Sequence, residues 1–346
     1  MKRILKWVLW CSLFYSQTVW GQYLYPTSGF GGVQTATLEN IMLLQNVRDR
    51  DFQCSFRQPW FVGYGSGGST RGVADHFDGV ETTTREPMQY DRSIGGFLLG
   101  MTRTFRSDLQ AGLFFSYNVT QMEDTRDHGY FHQSQKINMN QFFWGGYMRK
   151  DFWNNTYFLG TAATGYGHLD ERVEYTQLCF GNDTGESCAW RAFLYGELGK
   201  NFYVGQTLIQ PFWGLQYYYN RFGQITFQND NGNAPLAFTP LTTASFRNIL
   251  GIRLARNVSQ FQDGFLKLEC MSFWYHEFLS EENLGGIGIL GTSETVSAMD
   301  SGRDWAVIAP TVTLKLGRMR LWGGYIIMFN RDEAINLGQG GLSLCF

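Results

Sequence analysis

The chain has 346 residues; Phe, Tyr and Trp make up 17% of it, and 41 glycines stand against only 7 prolines. That balance suits long strands with few breaks and disfavours a helical enzyme. A formal net charge of −2, with Lys and Arg scattered along the chain, creates no basic field for nucleic-acid phosphates and argues against nucleic acid as a partner.

Residues 1–21 read as a secretory signal peptide. Lys2 and Arg3 precede an apolar run from Ile4 to Tyr15, broken only by Lys6, and Val19-Trp20-Gly21 supplies a small-residue cleavage site. The run is too short to span a bilayer, and the mature chain is expected to begin at Gln22. Residues 22–56 form a short N-terminal segment with a candidate helix over 35–50. Thr37 can cap it, Leu38, Ile41, Met42, Leu44 and Val47 repeat at helical spacing, and Arg48 and Arg50 favour a C-terminus. A periplasmic helix or an unfolded leader is the alternative for this stretch.

From residue 57 to 346 no apolar run is long enough for a membrane-spanning helix; the longest, such as Tyr325 to Phe329, are five or so residues. The signal is alternation instead. Between Asp108 and Thr120, Ala111, Leu113, Phe115, Tyr117 and Val119 share one parity, and Gln110, Gly112, Phe114, Ser116 and Asn118 share the other, a mixed face. Trp213, Leu215, Tyr217 and Tyr219 oppose Gly214, Gln216 and Asn220; Leu250, Ile252 and Leu254 oppose Arg247, Gly251 and Arg253. One face is oily and the other tolerates charge, as in a barrel whose lipid and lumen faces alternate.

Twelve strands follow, near 58–66, 92–105, 108–120, 134–150, 156–175, 189–203, 207–222, 243–257, 263–278, 303–316, 318–329 and 333–346. Their connections alternate between short turns and longer loops, the first loop about 25 residues and the next two about 13. Such alternation is what the two unlike compartments of an outer-membrane barrel impose. The fold expected is therefore all-β, a 12-stranded antiparallel transmembrane barrel. Leu342, Leu344 and Phe346 share one parity at the C-terminus, a pattern similar to the signal read by the barrel-assembly machinery. Leu337 has the opposite parity, so a bulge or bend is expected at Gly338, Gly340 and Gly341.

By parity Glu197, Arg253, Lys267 and Glu269 face the lumen, either pairing with a helix there or forming a salt-bridge lattice across the wall. Cys179 and Cys188 bracket eight residues of an expected surface loop in an oxidising compartment, and a disulfide is expected between them. Cys54 before the first strand and Cys345 at the end of the last come together on closure and are candidates for a second. The histidines, His76, His128, His132, His168 and His276, lie in outward loops or near the outer rim, without a nucleophile elbow, a metal-binding His-Glu-x-x-His or a phosphate loop to accompany them. No catalytic residue, cofactor or metal site is expected.

The segments Trp60-Phe61-Val62-Gly63-Tyr64-Gly65, Gly95-Gly96-Phe97-Leu98-Leu99-Gly100, Tyr195-Gly196-Glu197-Leu198-Gly199, Gln210-Pro211-Phe212 and Leu250-Gly251-Ile252-Arg253 occur in order. Together they resemble the C-terminal translocator domain of autotransporters, the type V secretion family, from about Trp60 to Phe346. The resemblance implies a helix in the barrel lumen joined to an upstream passenger, which makes 35–50 a candidate plug helix. Only Gln22 to Gln34 precede that helix as possible passenger. Some members of the family cleave the passenger at an Asn-Asn bond inside the barrel; here the pair is Asn154-Asn155 in an expected periplasmic turn, so no self-cleavage is expected. The leading expectation is an integral outer-membrane translocator barrel with little left to export, monomeric and surrounded by outer-membrane lipid. It would be exported through Sec and inserted by the barrel-assembly machinery. A passive channel or surface-binding barrel is the second expectation, and an outer-membrane hydrolase a distant third.

Overall fold

A computed structural model describes residues 25–48, 57–77, 83–127, 132–175, 182–230, 237–279, 284–289, 292–297, 303–331 and 333–346. One helix, α1 (Tyr25–Arg48), precedes a single sheet. Twelve strands form its wall: β1 (Arg57–Phe77), β2 (Thr83–Arg106), β3 (Leu109–Asp127), β4 (His132–Asp151), β5 (Thr156–Tyr175), β6 (Asp183–Lys200), β8 (Thr207–Phe222), β11 (Thr242–Phe261), β12 (Gly264–Glu277), β15 (Asp304–Leu316), β16 (Met319–Phe329) and β17 (Glu333–Leu344). Each pairs antiparallel with its sequence neighbour in the wall, and β1 pairs β17 from Trp60↔Ser343 to Thr70↔Glu333. That last ladder closes the barrel and removes the sheet edges that lipid could not satisfy. The short strands β7 (Phe202–Val204), β9 (Ile225–Asn229), β10 (Ala237–Phe238), β13 (Leu284–Ile289) and β14 (Thr292–Ser297) prolong the hairpins beyond the wall.

Both ends of the wall sequence, Arg57 and Phe346, meet at one rim, where the Phe346 amide donates to the Arg57 carbonyl at 3.3 Å. The turns at this rim are tight. Gly205 and Gly317 take φ of +59° and +56°, which glycine alone adopts without a Cβ penalty, and Asn154 and Asn155 take φ of 60° and 59°. The Asn154-Asn155 pair thus turns the chain between β4 and β5, as expected from the sequence.

All twelve expected strands are present, and the parity readings hold. Leu113, Leu250 and Leu194 point outward, 73%, 57% and 53% exposed, while Ser116, Asn118, Gln216, Arg247 and Arg253 are buried inward. The outward loops are shorter than expected. β1 and β2 stay in one register from Arg57↔Arg103 to Phe77↔Thr83, leaving 78–82 between them in place of about 25 residues. Beyond the membrane the ladder still satisfies backbone groups but needs no apolar face, so the Gly- and Ser-rich stretch after Tyr64 carries no alternation to read. The expected bulge near Gly338–Gly341 is absent: β16 and β17 pair without a shift from Met319↔Leu344 to Phe329↔Ala334. Leu337 simply faces the core, fully buried, while Leu342 and Leu344 face outward. Register shifts occur instead at Asn257/Ser259 and Thr104/Arg106, beside the tight turns.

Candidate functional site

α1 runs inside the barrel, and every residue from Gly32 to Leu44 is buried. At 1.5 Å per residue its 24 residues reach about 36 Å, enough to pass through the hydrocarbon thickness of a bilayer. Its C-terminal end leads to β1 at the tight-turn rim, so its N-terminal end points to the opposite, loop-bearing rim. The helix begins ten residues earlier than the sequence suggested. Thr37 is not its cap but lies mid-helix, its hydroxyl donating to the Val33 carbonyl at 2.8 Å. The early start runs through glycines, which lower helix propensity, and at Gly32 the wall leaves room only for a small residue. A Cβ on Gly32 would lie 3.0 Å from the Tyr218 hydroxyl and 3.3 Å from Arg191 Cζ.

Polar side chains of α1 engage the wall all round. Glu39, the one carboxylate of the helix, accepts hydrogen bonds from the Tyr64 hydroxyl, the Ser116 hydroxyl and Asn118 Nδ2, the last at 3.0 Å. Gln34 enters an ion pair: its Nε2 donates to Glu333 at 3.0 Å, its Oε1 accepts from Arg92, and Arg92 meets Glu333 at 2.5 Å. The Thr37 hydroxyl accepts from Gln216 Nε2 at 2.8 Å and Arg247 Nη1 at 2.9 Å, and Arg247 is itself held by Glu277 at 2.8 Å and stacked over Tyr275. Lower down, Gln339 donates to Gln45 at 2.5 Å. Anchors therefore come directly from β1, β2, β3, β8, β11 and β17, with Glu277 of β12 holding Arg247 from behind. Between them Val33, Leu38, Ile41, Met42, Leu43 and Leu44 join Leu98, Phe143, Phe193, Phe212 and Ile249 in one apolar cluster. Each such aliphatic contributes about 1.5–3 kcal/mol on burial.

Glu197, Arg253, Lys267 and Glu269 face inward as expected. Within the wall, Tyr157 donates to Glu197 at 2.8 Å, and Arg253 and Lys267 converge on Glu269, at 2.8 and 3.4 Å. Arg149, Gln210, Arg253 and Lys267 line a cavity of about 230 Å³ beside the Gly205 turn. The residues that hold the helix were missed, since strand parity places them inward but cannot say which meet α1.

Cys188 corrects the disulfide expectation. It is a free thiol within β6, exposed on the outer face, and not part of a loop; Cys179 lies outside the described residues. Cys345 is disulfide-bonded, and its expected partner Cys54 lies outside the described residues. The signal peptide and His128 lie outside them as well. His168 and His276 face outward, paired with Asp170 at 3.0 Å and Asp304 at 2.9 Å.

A closed antiparallel barrel, aliphatic outside, with a helix through its lumen defines an integral outer-membrane protein of the translocator class. The chain belongs to the autotransporter family: the autotransporter beta-domain matches residues 69–326. Its fold is similar to the translocator domain of the autotransporter NalP from Neisseria meningitidis, with a TM-score of 0.68 and 11% identity over 92% of this chain and 98% of that one. The beta domain of the Bordetella autotransporter BrkA matches at TM-score 0.57 and 14% identity, covering 84% and 100% of the two chains. The transport unit of AIDA-I from Escherichia coli matches at 0.53 and 13%, covering 86% and 93%. No curated protein matches the sequence.

Proposed function

We propose that this barrel is a translocator held in a plugged state, with α1 retained in the lumen and its N-terminal end directed to the cell surface. The observation that carries this is the set of polar anchors from six wall strands onto Gln34, Thr37, Glu39 and Gln45. A passive channel needs an open lumen, and the anchored helix fills this one along Gly32 to Leu44. The same engagement leaves the inward carboxylates in structural contacts, so the reading is non-enzymatic. Sec export and insertion by the barrel-assembly machinery, as a monomer in outer-membrane lipid, complete it; the outward-facing Leu342, Leu344 and Phe346 support the assembly step. Cys54 is proposed as the partner of Cys345, because the Phe346–Arg57 hydrogen bond brings the two segments together.

An epitope placed before Tyr25, with a second in the 223–242 loop as control, tests the direction of α1 on intact cells expressing the full chain. Both epitopes should be accessible. Accessibility of the loop alone would overturn the proposal.

A further inference from the structure

Along the outer face of β5 and β6 the chemistry changes in directly opposed pairs. Phe158 lies opposite Leu198, Ala162 opposite Leu194, and Tyr166 opposite Trp190, whose rings meet edge-on with centroids 5.8 Å apart. Apolar pairs followed by an edge-on Tyr–Trp pair mark where hydrocarbon gives way to headgroups. The next two outward pairs are His168 opposite Cys188 and Asp170 opposite Glu186. At about 3.4 Å per residue they lie within roughly 14 Å beyond the aromatic pair, on the wet side of the boundary.

Two carboxylates directly opposed on one face repel each other and call for a cation. Donor atoms of His168, Asp170 and Glu186 all lie within 4.8 Å of one another, a spread that one ion can bridge. His168 Nε2 is 3.0 Å from Asp170 Oδ1, so this nitrogen faces the carboxylates. The other ring nitrogen, Nδ1, is 3.8 Å from Cys188 Sγ, to which the Tyr166 hydroxyl also donates at 2.6 Å. A metal-bound imidazole commonly donates its second N–H to such an acceptor, which fixes the ring.

We propose that His168, Asp170 and Glu186 form a site for a divalent transition-metal ion of the zinc type on the outer face of the barrel, with Cys188 as a positioning residue for His168. An imidazole beside two carboxylates suits zinc-like ions, whereas calcium and magnesium favour all-oxygen shells. Three protein ligands leave a coordination position open to solvent. No sequence motif announces the site, because it exists only through the register of two strands, His-x-Asp on one and Glu-x-Cys on the other.

The test titrates Zn²⁺ into the purified full chain in detergent by calorimetry, with excess Mg²⁺ present and with folding of every variant verified by the mobility difference between heated and unheated samples. One Zn²⁺ should bind per barrel. His168→Ala and Glu186→Gln should each weaken binding at least about tenfold, and Cys188→Ala by about 10–100-fold, as loss of an orienting partner does. The Co²⁺ form should lack a thiolate charge-transfer band; its presence would make Cys188 a ligand and overturn its positioning role. Failure of the wild type to bind, displacement by Mg²⁺, or unchanged binding in folded His168→Ala would overturn the site.

Discussion

Glu39 takes hydrogen bonds from three wall donors that have no water-facing alternative. Glu39→Ala orphans those donors, at about 1–3 kcal/mol for each, so the urea midpoint of the folded barrel should fall clearly, and Glu39→Gln should recover part of the loss. An unchanged midpoint in Glu39→Ala would mean that the clasp does not hold. Gly32→Leu would drive a side chain into Tyr218 and Arg191; overpacking of this kind costs about 1–3 kcal/mol. Gly65→Ala meets nothing within 4 Å and serves as the tolerated control in the same assay. At the rim, the hydrogen bond and charge of Lys150 hold Asp108 below the usual carboxylate range. A depressed folded pKa adds stability above the ordinary value near 3.9 and loses it as pH falls through the folded value. Asp108→Asn should therefore differ slightly from the wild type at pH 7 and not at all in strong acid, when midpoints are compared across pH. The sequence exposed these residues only by class: parity marked Ser116, Asn118, Arg247 and Arg253 as inward, but Glu39 and Gln34 acquire their roles from partners dozens to hundreds of positions away.

At the scale of the element, strands were legible because lipid on one side and lumen on the other force a period of two. The readings failed where that force ends. Beyond the membrane β1 and β2 continue as a ladder without an apolar face, and α1 is buried on every side from Gly32 to Leu44, so an amphipathic stripe located only its lower part. Gly32 lowers helix propensity, yet its close approach to Tyr218 and Arg191 outweighs propensity there. Lipid contact also sets what an outward position tolerates. Leu194 lies between Leu198 and the Trp190 level on β6, and Leu194→Arg should cost about 2–4 kcal/mol if it sits near the bilayer midplane, falling toward zero at the interface. Refolding into lipid vesicles followed by urea titration checks it; no loss would contradict a lipid-facing assignment for that strand face.

For the whole molecule, closure by the β1–β17 ladder and occupation by α1 are separate achievements: the first is written in strand count and parity, while for the second helical spacing and the family resemblance point to a helix over 35–50 and the tertiary contacts supply how it is held. The plugged state depends on the helix filling the lumen. The most direct measurement is single-channel conductance in planar bilayers, comparing the full chain with a chain lacking residues 25–48, both verified as folded by heat-dependent mobility. The full chain should be closed or nearly so, and removal of the helix should open a steady conductance. Equal conductance from both would contradict the plugged barrel.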